Sequence, residues 1–320
     1  MRWQKSMYKT VYKTVKRGRI FSCCGLEDVL EWKKERSACM YNVISAIEYL
    51  IHHPVLEIKS FYKSKNRANN MGDALEEYVK DLFAHTVYET DEQKRLEKLS
   101  QVFSYLGNQN NPPDSILRGG DAIEVKKLEG KNASIALNSS YPRQKLFATS
   151  GYITEACRRC EPWKEKDVLY VIGVVQGDQL RNLCMVYGVD YAAQQQTYDR
   201  IKRVIEQGIY SISDVEFAKT NEIAKVKKVD PMGITDLRVR GMWSIENPFR
   251  VFQYVFQRND AKQFQMLCII NQEKYSSFEN TAQLERWVGK VPGFQIKDVR
   301  IKDPDNPAKL KEAKCIIFER

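Results

Sequence analysis

The stretch from Asn111 to Leu128 constrains the fold of this chain most, because its pattern predicts a β-hairpin. Two apolar runs, Ser115 to Leu117 and Ala122 to Leu128, flank an Arg-Gly-Gly turn. Glycine supplies the positive φ that tight hairpin turns require. A hairpin holds its two strands at one register, so it also determines which polar side chains of the two strands meet.

Three charged side chains of this hairpin are predicted to converge. With the loop at 118–120, Asp114 falls opposite Glu124. Side chains alternate between the faces of a strand, so Glu124 and Lys126 share one face while Val125 points to the other. Carboxylate oxygens suit Mg²⁺, and a nearby lysine suits phosphate chemistry. Asp followed ten residues later by Glu-x-Lys has the form of the PD-(D/E)xK nuclease signature; the alternative is an ion-paired surface hairpin.

The whole pattern, or its Glu-x-Lys part, also occurs at two other places in the chain. Asp305 is followed by Glu312-Ala313-Lys314, and Glu57-Ile58-Lys59 is a further Glu-x-Lys. The C-terminal copy continues into a Lys-rich segment that looks helical, with too little chain left to build a sheet around it. No aspartate precedes Glu57 in its strand. We therefore expect only the copy at 114–126 to form a site.

The net charge favours an anionic partner, with nucleic acid first. The 320 residues carry a formal charge of +10, and a hydrophobic content of 43% is ordinary for a soluble globular protein. Residues 1–39 hold ten Lys or Arg against four Asp or Glu, so six of the ten net charges lie there. A basic arm on DNA would explain this segment; a non-native extension before Met40 is the preferred interpretation.

Nothing in the sequence predicts a membrane span or an export signal. Apolar runs fall short of the roughly 20 residues of a membrane helix, and no apolar segment follows the basic start. Eight cysteines are too sparse for a disulfide scaffold, so a cytoplasmic protein is expected. Cys157 and Cys160 have the spacing of half a zinc site, but ordinary thiols are preferred because such a site needs four ligands.

The order of predicted elements indicates an α/β (α+β) fold, a mixed sheet flanked by helices. Apolar periodicity predicts helices at 40–53, 72–83, 88–100, 194–207 and near 282–288, and a further helix opening at Pro142. Besides the hairpin, strands are predicted at 102–106, 133–137, 168–175, 183–189, 266–271, 294–301 and 315–318. We divide the chain into the extension 1–39, a catalytic core 40–210 and a C-terminal α+β lobe 211–320 for DNA recognition or dimerisation.

Further polar residues are candidates for the site. Glu76 and Glu77 border the apolar face of the helix at 72–83, which makes either one a candidate for a further carboxylate at the hairpin. For each glutamate taken alone, a solvated helix residue is the default interpretation. The basic loop with Arg67 and Asn69 suits DNA phosphates or base edges, or is a plain solvated loop. Other nuclease chemistries fit worse, because the three histidines form no recognisable set and no Gly-rich phosphate loop occurs.

Seven blocks keep a family's order from about Met40 to the C-terminus. They are Asn66 to Asn69, Gly72 to Phe83, Phe103 to Asn108, Asn111 to Asp114, Asp121 to Lys127, Ala136 to Ser140 and Arg238 to Trp243. As a set they resemble the NgoPII family of type II restriction endonucleases. Residues 1–39 depart from the family pattern, which favours the extension.

The resemblance implies a PD-(D/E)xK restriction-endonuclease-like fold and Mg²⁺-dependent cleavage of double-stranded DNA at a palindromic GGCC. It also implies a cognate DNA methyltransferase that protects the host. Asp114 and Glu124 are then the metal ligands, with the Val125 carbonyl, while Lys126 orients water or stabilises phosphate charge. Glu76 matches the helix glutamate of related nucleases, with Glu77 as its competitor.

A palindrome is most simply read by a homodimer. Guanine needs Arg or Lys at its O6 and N7 atoms. The candidate DNA-binding residues are Arg67, Asn69, Asn138, Ser139, Arg143, Lys145, Arg238 and Arg240. Asp121 is predicted to support the metal ligands.

The sequence is compatible with three hypotheses about the function of the protein. The first is the restriction endonuclease, and the second is a structure-selective repair or junction-resolving nuclease of the same fold. The third is a non-catalytic DNA-binding protein whose hairpin carboxylates are merely ion-paired.

Overall fold

A mixed β-sheet runs through the computed structural model and carries the predicted hairpin near one edge. The structure describes residues 41–108, 111–138, 140–220 and 222–320. The predictions for residues 1–39, for Met40 as a start and for Ser139 therefore lie outside the described residues. The described residues belong to one compact unit.

The helices, in chain order, are α1 Val43–His52, α2 Ile58–Ser64, α3 Met71–Ala84, α4 Glu92–Val102, α5 Glu155–Arg159, α6 Gly188–Tyr191, α7 Gln195–Tyr210, α8 Pro248–Val251, α9 Gln272–Ser276 and α10 Thr281–Glu285. The strands are β1 Phe103–Asn108, β2 Asn111–Leu117, β3 Ala122–Leu128, β4 Ile135–Asn138, β5 Lys145–Phe147, β6 Glu165–Gln176, β7 Gln179–Tyr187, β8 Glu216–Ala218, β9 Ala224–Lys227, β10 Leu237–Val239, β11 Trp243–Ile245, β12 Gln265–Asn271, β13 Phe294–Asp303 and β14 Asn306–Glu319.

The main sheet has the strand order β1-β2-β3-β6-β7-β12-β14-β13, with β5 added to the start of β6. Its parallel pairs are β3 with β6 and β7 with β12; its other pairs are antiparallel. Strands from before and after residue 210 thus share one sheet. Two smaller sheets have the orders β10-β9-β8 and β11-β4.

The register of the hairpin agrees with the predicted turn. Ser115 lies opposite Ile123 and Ile116 opposite Ala122, and the N–H of Leu117 donates to the carbonyl of Asp121 at 2.9 Å. The strands predicted at 168–175 and 183–189 are β6 and β7, which are buried along most of their length because apolar side chains pack against both faces of the sheet. The predicted mixed α+β sheet is confirmed.

Helix α3 packs directly on the centre of the main sheet. It begins where the Asn70 side chain accepts a hydrogen bond from the N–H of Gly72, a normal N-cap. Leu75 on its buried face lies over Gly173 of β6, where an added Cβ would come within 2.7 Å of a Leu75 methyl carbon. Glycine at this position lets the helix approach closely, and that approach carries the neighbouring Glu76 toward the hairpin.

A buried ion pair joins the helices that cover this face. Asp81 on α3 is fully buried and accepts hydrogen bonds from Tyr62 Oη at 2.8 Å, Thr86 Oγ1 at 2.6 Å and Arg95 Nε at 2.7 Å. Arg95 on α4 is also buried and pairs with Glu77. Helices α2, α3 and α4 are therefore held by one charge network.

None of the helices in the described part of the chain has the length and the apolar character of a membrane span.

Three local predictions are wrong. Glu57 does not lie in a strand, because it directly precedes helix α2, and the other two concern predicted helices. No helix opens at Pro142; the chain is irregular there and continues as the strand β5, which pairs with the start of β6. The Lys-rich segment near Lys314 is not helical either, because it lies in β14 between β12 and β13. In both cases pairing with a neighbouring strand overrides the local propensity, as is common for strands.

We expect Arg95→Met to destabilise the fold by about 3–5 kcal/mol, because it leaves the Asp81 carboxylate buried with one charge partner fewer. Lys94→Met is the matched control, since the Lys94 side chain is 70% exposed and its replacement should cost within about 0.5 kcal/mol. Urea unfolding of both variants measures the difference. Equal stabilities would contradict the assigned role of the network.

Candidate active site

The site lies where the backbone pairing of β2 and β3 gives way to a side-chain contact. Past the Ser115–Ile123 pair, Asp114 Oδ2 accepts a hydrogen bond from the N–H of Val125 at 2.6 Å. The Asp114 side chain is 16% exposed. Its carboxylate is therefore held in place by the neighbouring strand, on the side of the sheet that also bears Glu124.

Lys126 is the charge partner of both hairpin carboxylates. Its Nζ lies 2.6 Å from Glu124 Oε1 and 3.9 Å from Asp114 Oδ2. The alternation that places Glu124 and Lys126 on one face is present as predicted, while the Val125 side chain enters the core on the other face. The structure thus brings Asp114, Glu124 and Lys126 together.

The electrostatics of this cluster favour a further cation. Burial raises the pKa of Asp114 to about 7, and repulsion by Glu124 adds to the rise. Burial lowers the pKa of the Lys126 ammonium, but attraction to Glu124 and Asp114 outweighs it and leaves that pKa raised. One ammonium does not fully neutralise the two carboxylates, so the site retains a net negative charge.

Helix α3 turns Glu76, and not Glu77, toward this cluster. Burial raises the pKa of Glu76, and Lys80 and Lys126 oppose the rise; Glu76 in turn raises the pKa of Asp114. Glu77 instead pairs with Lys80 at 2.8 Å and with Arg95. The third carboxylate near Lys126 is therefore Glu76.

The donor atoms fit a hard divalent cation. Mg²⁺ prefers carboxylate, carbonyl and water oxygens and commonly takes only one or two carboxylates from the protein, which is what Asp114 and Glu124 offer. Nowhere in the described residues do three or more His, Cys, Asp or Glu side chains gather closely enough to hold a metal by themselves. A cation at this site therefore needs additional oxygens from backbone, substrate or water.

A small cavity of about 30 Å³ opens beside Glu124. Tyr141, Tyr170 and Arg143 line it together with apolar side chains. The Arg143 guanidinium carbon lies 5.2 Å from the ring centre of Tyr152. Its buried Nη2 has no hydrogen-bond partner within the described ranges. A guanidinium with an unused donor near the carboxylates is suited to a phosphate oxygen.

Lys145 and Arg67, two other predicted DNA contacts, are held by protein carboxylates. Lys145 pairs with Glu165 at 2.5 Å. Arg67 donates to Glu92 at 2.7 Å and to the carbonyl of Glu89 at 2.9 Å, and its side chain is only 5% exposed. In this structure the Arg67 guanidinium lies within the helical layer.

Three of the remaining predicted contacts, Asn69, Arg238 and Arg240, are exposed at the surface. Asn69 is exposed just before α3, and Asn138 ends β4. Arg238 and Arg240 are both more than half exposed and share one partner, Glu222. No pattern in the sequence marked Glu222.

Asp121 belongs to a separate buried cluster. It accepts a hydrogen bond from Tyr187 Oη at 2.7 Å and pairs with Lys274 Nζ at 2.7 Å, and Lys274 also pairs with Asp167. These partners lie on different strands and on α9, so no local spacing could have revealed them. They hold the start of β3 against the sheet.

Neither the pattern match at 305–314 nor the pair Cys157 and Cys160 forms a comparable site. Glu312 pairs with Arg300, and Lys314 with Asp298. Cys157 is buried, and burial together with Cys160 raises its thiol pKa to about 12. Among the described residues no three His, Cys, Asp or Glu side chains gather around Cys157 and Cys160, so the four ligands of a structural zinc site are not present there.

Comparison with known proteins identifies a family for the chain. The NgoPII restriction endonuclease family matches residues 41–302. The chain is 49% identical over 278 residues to the type II restriction enzyme NgoPII of Neisseria gonorrhoeae. The aligned residues make up 87% of this chain and 99% of that enzyme. No solved structure matches the chain significantly. The resemblance carried by the seven sequence blocks is confirmed.

We expect Asp114→Asn to stabilise the metal-free protein at pH 8. A carboxyl group whose pKa rises from 3.8 to about 7 on folding destabilises the fold above pH 7 and not below its ordinary pKa, where both states carry the proton. The gain should be on the order of 1 kcal/mol by urea unfolding in EDTA and should vanish toward pH 4. The exposed Glu129→Gln serves as control; a loss of stability in Asp114→Asn at pH 8 would contradict this.

Proposed function

Because the chain belongs to the NgoPII restriction endonuclease family and is a type II site-specific deoxyribonuclease, we propose that it makes Mg²⁺-dependent double-strand cuts at a short palindrome, GGCC. The observation that carries the proposal is the convergence of Asp114, Glu124 and Lys126 on neighbouring strands. This is the arrangement that metal-assisted phosphodiester hydrolysis requires.

The fold assignment proposed is PD-(D/E)xK. It is supported by an aspartate on β2, a Glu-x-Lys on β3 and a helix, α3, that brings Glu76 to the same spot. We further propose residues 40–210 as the catalytic core and 211–320 as the part that contributes recognition or dimerisation.

Asp114 and Glu124 would hold Mg²⁺, with the backbone carbonyl of Val125 as a third ligand. A bound Mg²⁺ polarises the scissile phosphate and lowers the pKa of its water. The hydrogen bond from Val125 N–H fixes the Asp114 carboxylate before any ligand arrives. Such fixed ligands need little reorganisation, which is an advantage for catalysis.

In the metal-free site Lys126 is an ammonium, because the surrounding carboxylates hold its pKa above the ordinary value. In that state it donates hydrogen bonds but does not accept a proton. Its role is therefore to orient the attacking water or to neutralise charge that develops on phosphate oxygens. It also reduces the repulsion between Asp114 and Glu124 while no other cation is present.

Arg143 would bind a phosphate oxygen next to the scissile bond. Its spare Nη2 donor and its position beside the Glu124 cavity support this role. The contact to Tyr152 restricts the guanidinium, so less side-chain freedom is lost when DNA binds. The other DNA-binding candidates, including Asn69 and Asn138, stay proposals.

A two-fold symmetric homodimer would present two such sites to the two strands of a palindrome. In a host cell a methyltransferase of the same specificity would protect the chromosomal DNA. We place the enzyme in the cytoplasm of a prokaryote, where both DNA and Mg²⁺ are available. A structure-selective nuclease of the same fold is the alternative and would cut only branches or flaps.

On unmethylated plasmid with Mg²⁺, the protein should give discrete fragments whose sequenced ends share one short palindrome, and EDTA should abolish cutting. Glu124→Ala and Lys126→Ala should bind DNA but lose at least about a hundredfold in cleavage rate, the scale of one lost transition-state contact. Lys127→Ala, which removes the next lysine along β3, should cut normally. Full activity in Glu124→Ala would exclude the assigned chemistry.

Glu76 and Glu77 should separate into a catalytic and a structural role. Glu76→Gln should lower the cleavage rate about tenfold or more with little change in stability, because Glu76 faces Lys126. Glu77→Gln should instead lower the free energy of unfolding by about 1–3 kcal/mol, because it removes a partner of buried Arg95. Cleavage rates and urea unfolding of both variants measure this; a reversed pattern would assign the site carboxylate to Glu77.

A further inference from the structure

The segment Arg238 to Arg240 forms part of a small sheet that lies apart from the main one. Strand β10 pairs with β9, and β9 with β8. Arg238 lies in β10 and Arg240 follows that strand directly, and both side chains lie on one side of the small sheet, where they meet Glu222. Lys225, the partner of Arg238 across the ladder, lies on that face as well. Its three cations outnumber the two carboxylates that pair with them, Asp236 and Glu222, which leaves the positive excess that suits a DNA-binding surface.

Glu222 binds both arginines. Arg238 donates from Nε to Glu222 Oε2 at 3.0 Å and from Nη2 to Oε1 at 2.8 Å. Arg240 Nε lies 2.6 Å from Glu222 Oε1. The Glu222 side chain is 15% exposed, whereas those of Arg238 and Arg240 are 56% and 54% exposed. One nearly covered carboxylate thus orients two exposed guanidinium groups.

The contacts with Glu222 use the Nε side of each arginine and leave the far end open. Within the described ranges, no hydrogen bond or ion pair involves Arg238 Nη1 or either Nη of Arg240. The Nη1 and Nη2 atoms at the far end of a guanidinium present parallel N–H groups, which match a pair of acceptors such as guanine O6 and N7 or two phosphate oxygens.

The chain connects this segment directly to the catalytic cavity. Ile223, next to Glu222, donates its N–H to the carbonyl of Val239 at 3.1 Å. Three residues after Arg240, Trp243 pairs with β4 and contacts the ring of Tyr141 at 6.1 Å between centres. Tyr141 lines the cavity beside Glu124. A duplex bound at the carboxylates would therefore pass close to the arginines.

We propose that Glu222 is a positioning residue for sequence recognition: it fixes Arg238 and Arg240 so that their free ends read guanine in the major groove. The proposal rests on the proposed cleavage of a G·C-containing palindrome. A long arginine side chain loses about 2 kcal/mol of rotamer entropy when it is fixed, and Glu222 fixes it before DNA arrives. The same carboxylate repels phosphates, so it weakens binding to DNA of any other sequence.

Fixing the arginines strengthens binding to the recognised sequence, whereas repelling phosphates weakens binding to other sequences. Binding measurements can therefore separate the two effects. In EDTA, binding is measured to a short duplex with the sequence that wild type cleaves and to one with that sequence scrambled. Glu222→Ala should bind the scrambled duplex as well as wild type or more tightly, and the cleaved sequence about tenfold more weakly. Glu216→Ala removes a carboxylate from the same small sheet and should strengthen binding to both duplexes equally.

Two further measurements separate guanine from phosphate and exclude misfolding. Replacing guanine by 7-deazaguanine, which lacks the N7 acceptor, should weaken wild-type binding and leave Glu222→Ala almost unaffected. Glu222→Asp, which keeps the charge, should retain part of the preference. If Glu222→Ala keeps the wild-type ratio between the two duplexes, or if 7-deazaguanine weakens both proteins equally, Glu222 has no positioning role. A wild type that cuts no duplex overturns the proposed function as well.

Discussion

The hydrogen bond from the Val125 N–H to Asp114 Oδ2, 2.6 Å long, ties β2 to β3 at the point where their backbone pairing ends. Because a side chain takes the place of a backbone carbonyl there, a carboxylate is held inside the sheet edge at a defined position. Glu124 and Lys126 flank Val125 and emerge on one face. This contact therefore determines where the Asp114 carboxylate meets Glu124 and Lys126.

Holding carboxylates this way has a cost in stability that the cluster only partly offsets. The raised pKa of Asp114 reflects burial and the neighbouring Glu124. Lys126 supplies one positive charge and leaves negative charge for a metal ion to neutralise. Such an arrangement trades stability for function, as active sites commonly do. Helix α3 adds Glu76 to the cluster, and its position relies on the Asp81–Arg95 network and on the glycine beneath Leu75.

Catalysis and recognition meet at the aromatic residues beside the cavity. Tyr141 lines the cavity near Glu124 and contacts Trp243, which ends the segment that contains Arg238 and Arg240. The guanidinium groups used for sequence reading are themselves oriented by Glu222. Both halves of the proposed function use the same device, a charged group fixed in advance by a partner that makes no contact with the substrate.

The sequence by itself determined the hairpin, its register and the face shared by Glu124 and Lys126, because turn chemistry and strand alternation are local. It also determined where most of the helices and most strands of the main sheet lie along the chain. It did not determine that the segment after Pro142 is strand β5 or that Lys314 lies in β14, since pairing partners far along the chain decide these. The choice of Glu76 over Glu77, the role of Asp121 with Lys274 and the carboxylate behind Arg238 and Arg240 were decided only by the tertiary structure. Each depends on groups from distant segments whose proximity no local spacing encodes.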